Sequence, residues 1–277
     1  MQQLACGSLG KMHTQLHDPV SYTLVLADQK VAMNELLGKT IALEFNGTIT
    51  CCHCGRLTKK SFNQGYCYPC FKRLAQCDSC IMSPEKCHYF AGTCREPEWG
   101  ETHCMQDHFV YLANSSGIKV GITRGTQLPT RWIDQGAVQA MAVIRVQTRQ
   151  QSGLVEMVLK QHISDRTAWQ RMLKGQIETL DLPRIWEDLR AQVMPELLEL
   201  QQTHGLQAIA LLDEPDVVDV AYPVLQYPDK VKALNFDKQP RVEGTLMGIK
   251  GQYLMLDTGV INIRKFTSYH IELSAEA

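Results

Sequence analysis

Phe109-Val110-Tyr111-Leu112-Ala113, Asn114-Ser115-Ser116-Gly117 and Ile118-Lys119-Val120-Gly121-Ile122-Thr123 form the continuous stretch whose reading decides the fold. Two short runs of β-branched and aromatic residues flank four turn-forming residues, which predicts a pair of strands. Downstream, Pro129 precedes a short helical candidate around 130–135, and 137–148 reads as a third strand. A helix over about 152–163 follows, with Leu154, Val155, Val158, Leu159 and Ile163 as its apolar stripe. Strand, strand, helix, strand, helix is the order of a small α/β unit over residues 108–175.

Immediately upstream lie ten of the chain's eleven cysteines, between Cys51 and Cys104. Clustering of that kind points to metal rather than disulfides. Cys51-x2-Cys54 and Cys67-x2-Cys70 are two CxxC knuckles twelve residues apart, and four facing thiolates make a closed, structural zinc site, with a redox CxxC pair or an iron–sulfur cluster as the alternatives. A second zinc is expected on Cys77, Cys80, Cys87 and Cys94, with Cys104, His88, His103 or His108 as alternative ligands. Cys6 and Cys52 read as spare thiols, and His53 as a neighbour of the first site. Few long aliphatic residues occur over 51–107, so metal binding would replace a missing core.

Outward from this centre, both ends of the chain read as β. Val20–Leu26 alternates in polarity, and the Ile41–Phe45 and Thr48–Thr50 runs flank Asn46-Gly47, a strong hairpin signal. From Arg241 onward, short strands separated by Gly251 and Asp257-Thr258-Gly259 suggest a small barrel. The ends echo each other weakly, Gly7-Ser8-Leu9 with Gly244-Thr245-Leu246 and Tyr22–Leu26 with Tyr253–Leu256. Pro183 opens a helical segment to about Leu200, which Pro195 is expected to kink or split. The fold class is therefore α+β, with five segments: an N-terminal β segment 1–50, a cysteine-rich zinc-ribbon-like module 51–107, the α/β unit 108–175, a helical connector 176–221 and a C-terminal small β domain 222–277.

Length and composition narrow the function. With 277 residues, 44% hydrophobic and 21% charged, the chain has the makeup of a folded protein rather than a disordered or fibrous one. No stretch approaches the ~18 consecutive apolar residues of a membrane helix. The N-terminus has neither the basic nor the apolar region of a secretory signal, so a cytoplasmic protein is expected. The net charge of −1 hides a division: residues 108–175 carry nine basic and three acidic side chains, residues 176–277 nine and sixteen. Arg56, Lys59, Lys60, Lys72 and Arg73 form a second basic patch with no acid between Cys51 and Cys77. Local basic faces of this kind suit a polyanion, and the acidic C-terminal part suits a protein partner. A P-loop, a dinucleotide fingerprint and a G-x-S-x-G elbow are all missing, which removes the support for nucleotide hydrolysis, Rossmann redox work and esterase chemistry.

On Val110-Tyr111, Lys119-Val120-Gly121, Arg131 and Glu156, in that order, residues 108–175 resemble the GIY-YIG nuclease superfamily. The resemblance implies a GIY-YIG-like α/β domain that binds nucleic acid, DNA or RNA, and hydrolyses phosphodiester bonds with one divalent metal. It implies that Tyr111 orients or deprotonates the water, that Glu156 holds Mg²⁺ or Mn²⁺, that Arg131 neutralises the phosphate at the transition state and that Lys119 contacts it. The chain departs from the family pattern at Phe109, where the first glycine would stand, at Lys119, where many active members have tyrosine, and in the seven-residue spacer between Tyr111 and Lys119. The longer pattern of zinc cysteines, Thr93-Cys94-Arg95-Glu96-Pro97-Glu98-Trp99, Val110–Ala113, Lys119–Arg124 and Arg131–Ala137 is also similar to an uncharacterised bacterial family of unknown function. Three functions follow as alternatives: a metal-dependent nuclease, a non-catalytic nucleic-acid-binding protein, and a zinc-stabilised protein-interaction scaffold.

Overall fold

The structure, a computed structural model, describes residues 1–276. The chain begins with β1 (Gln2–Ser8), β2 (His13–Gln15), β3 (Ser21–Leu26), β4 (Gln29–Ala32) and β5 (Thr40–Ile49). The cysteine-rich module follows, holding two short helices, α1 (Tyr68–Arg73) and α2 (Pro97–His103). Next come β6 (His108–Asn114), β7 (Ile118–Arg124), α3 (Thr130–Asp134), β8 (Gln139–Val146) and α4 (Arg149–Leu159). Then follow α5 (Trp169–Leu173), α6 (Leu182–His204), β9 (Ile209–Leu211) and β10 (Val218–Asp219). The chain closes with β11 (Arg241–Lys250), β12 (Tyr253–Leu256), β13 (Gly259–Asn262) and β14 (Tyr269–Ala275). No helix among the described residues is long and apolar enough to cross a membrane.

The two ends of the chain build one β unit. A six-stranded sheet runs β1-β14-β5-β11-β12-β13, and β2-β3-β4 form a second sheet that shares its core. Strand, two-residue turn, strand, 3₁₀ turn, strand occurs twice, as β3-β4-β5 around Met33–Leu36 and as β12-β13-β14 around Ile263–Phe266. Leu24, Leu26, Met33, Leu36, Ile41 and Leu43 correspond to Leu254, Leu256, Ile263, Phe266, Ile271 and Leu273 at a constant shift of 230 positions, and all twelve are buried in the same core. The pairing is also reciprocal, since β1 pairs β14 just as β11 pairs β5. The structure therefore matches Thr23, not Tyr22, with Tyr253, one position away from the echo read in the sequence.

Asn46-Gly47 makes no hairpin. β5 runs straight through it, and the four steps from Phe45 to Ile49 oppose only two steps of β14, from Ile271 to Tyr269. The pair forms a bulge: Gly47 takes a φ of 88°, and the Asn46 side chain accepts from the Thr48 N–H at 2.9 Å. The positive φ that marks a tight turn serves a bulge equally well.

In the central unit β6 lies between β7 and β8, all antiparallel, and β9 and β10 both pair with β8. Both faces of β6 are covered. Val110 and Leu112 pack against α4 and α6 through Val155, Leu159, Leu189 and Val193, while Tyr111 and Ala113 pack on the other side against Trp132 and Ala137. Helix α4 starts at Arg149, three residues before the sequence expectation, because Thr148 and Gln151 form a reciprocal capping box. Helix α6 is unbroken for 23 residues despite Pro195. Pro195 and Ala191, whose carbonyl loses its helical donor there, both lie on the exposed side, where water substitutes.

Candidate functional site

The first cysteine group is compact. The sulfurs of Cys51, Cys54, Cys67 and Cys70 all lie within 4.8 Å of one another, and Cys54 and Cys67 are 3.7 Å apart. Each knuckle has a local cause. Gly55 takes a φ of 70° directly after Cys54 and donates its N–H to the Cys51 carbonyl at 3.0 Å, closing the first turn. The second knuckle straddles the start of α1, with Cys67 as its N-cap. Burial opposes ionisation of Cys51, but N–H groups of Cys54, Cys67 and His53 outweigh it and pull the thiol down to about 6. Burial and the neighbouring sulfurs push Cys70 up to about 12. Four such thiols ionise together only around a cation, and this set has the number, softness and spacing for one zinc ion.

The other cysteines divide differently from the sequence expectation. Cys77 packs with Leu74 against the first group. Cys80, Cys87, Cys94 and Cys104 instead line one small cavity beside Asp78, His88 and Trp99. The structure does not bring Cys77 to the three cysteines grouped with it above, because the 3₁₀ turns at Ala75–Cys77 and Ser79–Ile81 face it back toward Cys51.

A polar cavity of about 510 Å³ opens where all three parts of the molecule meet. The β unit supplies Lys11 and Arg264, the cysteine module Met82, Trp99 and His103, and the central unit Lys119, Arg124, Arg131, Arg149, Glu156, Lys160 and Asp165. Seven basic side chains meet three carboxylates there, so the wall is cationic. Lys11 pairs with Asp134, which also accepts from Gln252 Nε2 at 2.9 Å and so ties the β unit to α3. Lys160 meets both Glu156 (3.3 Å) and Asp165 (2.9 Å). Arg131 and Arg124 have no ion-pair partner among the described residues, and Lys119 makes only a 3.3 Å bond to Thr167. Burial, then the charge of Arg131, pulls Lys119 down to about 8. Burial also raises Glu156 above the usual carboxylate range, against the pull of Lys160.

Three of the four sequence candidates, Lys119, Arg131 and Glu156, thus share one cavity. Tyr111 does not line it: the side chain is fully buried and its hydroxyl donates to Gln135 Oε1 at 2.9 Å. Burial raises its pKa despite the Arg131 guanidinium beside it, and with its hydroxyl held by Gln135 away from the cavity lining the phenol is not placed to meet a water there, as the resemblance implied it would. Sequence reasoning missed Lys11, Arg149, Arg264 and Asp165. Lys160, four residues after Glu156, carried a readable helical-pair signal, but Lys11 and Arg264 come from opposite ends of the chain.

A family model described as a protein of unknown function (DUF2797) matches residues 38–271. The chain belongs to this family. The matched span of DUF2797 runs from β5 to β14 and takes in both cysteine groups and the whole cavity wall except Lys11. Searches among curated proteins and among solved structures gave no match.

Proposed function

We propose that this DUF2797 protein is a zinc-braced nucleic-acid-binding protein whose central cavity takes a phosphodiester and hydrolyses it. The observation that carries the reading is the convergence of an unpaired guanidinium, Arg131, a buried ammonium, Lys119, and a carboxylate, Glu156, in one cationic cavity. Further support comes from the strand, strand, helix, strand, helix order with β6 central, the order that the resemblance to GIY-YIG nucleases calls for.

In this reading Arg131 and Lys119 bind the non-bridging phosphate oxygens, and Arg124 and Arg264 extend the positive wall along the backbone. Tyr111 is a positioning residue: through Gln135 and its contact with Arg131 it holds the guanidinium toward the cavity. Glu156 and Asp165 meet at a single ammonium, so their oxygens form a hard donor set that suits Mg²⁺ or Mn²⁺ when Lys160 swings aside. Such an ion supplies charge stabilisation at the leaving oxygen. A second reading, binding without cleavage, is favoured by Lys160 itself, which neutralises both carboxylates.

The test uses the zinc-loaded full chain with labelled single- and double-stranded DNA and RNA. Cleavage that requires Mg²⁺ or Mn²⁺ and is lost in Glu156→Gln with binding retained supports hydrolysis. Salt-dependent binding that drops about tenfold in Arg131→Ala, without cleavage by the wild type, supports the second reading. No salt-dependent binding to any of the four would sink both.

A further inference from the structure

Cys80, Cys87, Cys94 and Cys104 all line one small cavity of about 20 Å³, room for a single atom-sized guest. None of the four is in a disulfide. They arrive from four separate turns: Cys80 from the 3₁₀ turn Ser79–Ile81, Cys87 from the end of the next one, Cys94 from the loop before α2, and Cys104 from the C-cap of α2. Four thiols from four backbone segments face one cavity without pairing to one another, a donor set of the number and softness that zinc takes. We infer that Cys80, Cys87, Cys94 and Cys104 bind a second zinc ion, and that this ion fixes the wall of the central cavity.

A competing donor set lies beside it. Donor atoms of Asp78, Cys80 and His88 lie within 4.8 Å of one another. The Asp78 carboxylate is already committed, however: Oδ1 accepts from the Ser79 N–H at 2.6 Å, and Oδ2 is bound by Arg95 Nε at 2.7 Å and faces His88 Nε2 at 3.4 Å. His88 Nδ1 is engaged by Thr93 at 2.8 Å. Asp78 and His88 line the same cavity and hold the loop that carries the sulfurs.

The link to the cavity is through the first turns of α4. The Arg149 N–H donates to the Cys104 carbonyl at 2.8 Å, Arg149 Nη2 to the Ile81 carbonyl at 2.6 Å and Gln150 Nε2 to the Cys87 carbonyl at 3.1 Å. Gly153 lets α4 sit directly on the loop, since a Cβ there would lie 2.5 Å from the Glu85 nitrogen. Helix α4 carries Glu156, and Arg149 itself lines the cavity. The metal would thus hold three segments that α4 grips. This inference stands independently of what the cavity binds.

Cobalt titration of the metal-free full chain tests it without any variant. The result expected is two equivalents bound, the second adding as much sulfur-to-cobalt charge-transfer absorption as the first, because both sites have four thiolates. A second equivalent that adds about a quarter as much, the signature of Asp78, Cys80 and His88 with one thiolate, would overturn the ligand set; binding of only one equivalent would overturn the site. Zinc content gives an independent check: Cys77→Ser is expected to retain two zinc ions and Cys104→Ser one. The reverse pattern would also overturn the proposal.

Discussion

Gly121 exists to make room for Tyr111. The two residues face each other across β6 and β7, and a Cβ built on Gly121 would lie 2.6 Å from both the hydroxyl and Cζ of Tyr111. The ring crosses over the glycine to reach Gln135, so the two short motifs that anchor the sequence reading are halves of one packing arrangement. A methyl group at this position has no relief, because the ring is fully buried and flanked by Trp132 at a centroid distance of 6.0 Å. Gly121→Ala is expected to destabilise the chain by about 1–3 kcal/mol, the range for overpacking a core. Tyr111→Phe, which leaves Gln135 without its donor, is expected to cost about 1 kcal/mol. Urea melts of both variants check the order; a larger loss in Tyr111→Phe would contradict it.

Lys119 gives the cavity a pH dependence. Burial lowers its pKa from 10.5 to about 8 in the folded chain. Below about pH 8 the group is charged in both states, and the folded state bears the full desolvation cost. Between about pH 8 and 10.5 the folded chain sheds the proton first, the unfolded state binds more protons, and stability rises with pH. The span is worth up to about 3 kcal/mol. Lys119→Met, with no titratable group, is expected to lack this rise, so the difference in stability between wild type and variant should change sign or shrink from pH 7.5 to 10. A difference that stays constant across that range would show that Lys119 is not desolvated. Anion affinity runs the opposite way, since the wild type loses its Lys119 cation as pH passes 8.

How much of this was legible in the sequence depends on how local the determinant is. The CxxC knuckles, the β6–β7 pair and the order of elements in the central unit rest on spacings of two to twelve residues, and their cause is local turn and strand chemistry. The bulge at Asn46-Gly47 was misread as a hairpin because only the long-range partner β14 distinguishes the two. The doubled β unit was visible only as an echo, since the identities its copies keep are scattered: Leu24, Leu26, Ile41 and Leu43 match the same residue types at Leu254, Leu256, Ile271 and Leu273, while Met33 matches Ile263 and Leu36 matches Phe266. The cavity was half legible. Lys119, Arg131 and Glu156 fall within one unit, while Lys11 and Arg264 reach it only because β1 and β14 pair.

Lys250 is a buried charge with little to compensate it. It has no exposed surface, and its ammonium has no hydrogen-bond partner among the described residues. The nitrogen sits over the rings of Tyr222 at 5.1 Å and Tyr227 at 5.6 Å. Burial lowers the pKa to about 8, and the two ring faces set a cation–π attraction against the lost hydration. Lys250→Met keeps the length and packing of the stem and removes the charge. It is expected to raise stability at pH 7 by about 1–3 kcal/mol, as when buried charges give way to apolar residues of similar shape. A lower melting temperature in the variant would mean that the ammonium is satisfied by a partner such as bound water.

The first zinc group should be worth more to its own module than to the rest of the fold. Residues 51–74 contain little apolar core beyond Leu74 and the cysteines themselves, with Tyr66 and Phe71 partly buried against them. Their hydrogen bonds to the β unit sit at its edge: the Thr58 N–H donates to the Ile49 carbonyl at 2.9 Å, Ser268 Oγ to the Gly65 carbonyl at 2.9 Å, Arg264 Nε to Gln64 Oε1 at 2.6 Å and Ser61 Oγ to the Thr267 carbonyl at 3.3 Å. The β unit, by contrast, has a buried core drawn from both ends of the chain. Cys54→Ser is therefore expected to lose one zinc ion and to lose hydrogen-exchange protection over 51–74, while β5, β11 and β14 stay protected. Cys52→Ser is the control. Cys52 is exposed, and its sulfur is not among the four that cluster, so that variant should keep its metal and its protection. Equal loss of protection across the β strands in Cys54→Ser would show that the metal folds the whole molecule, and unchanged zinc content would remove Cys54 from the site.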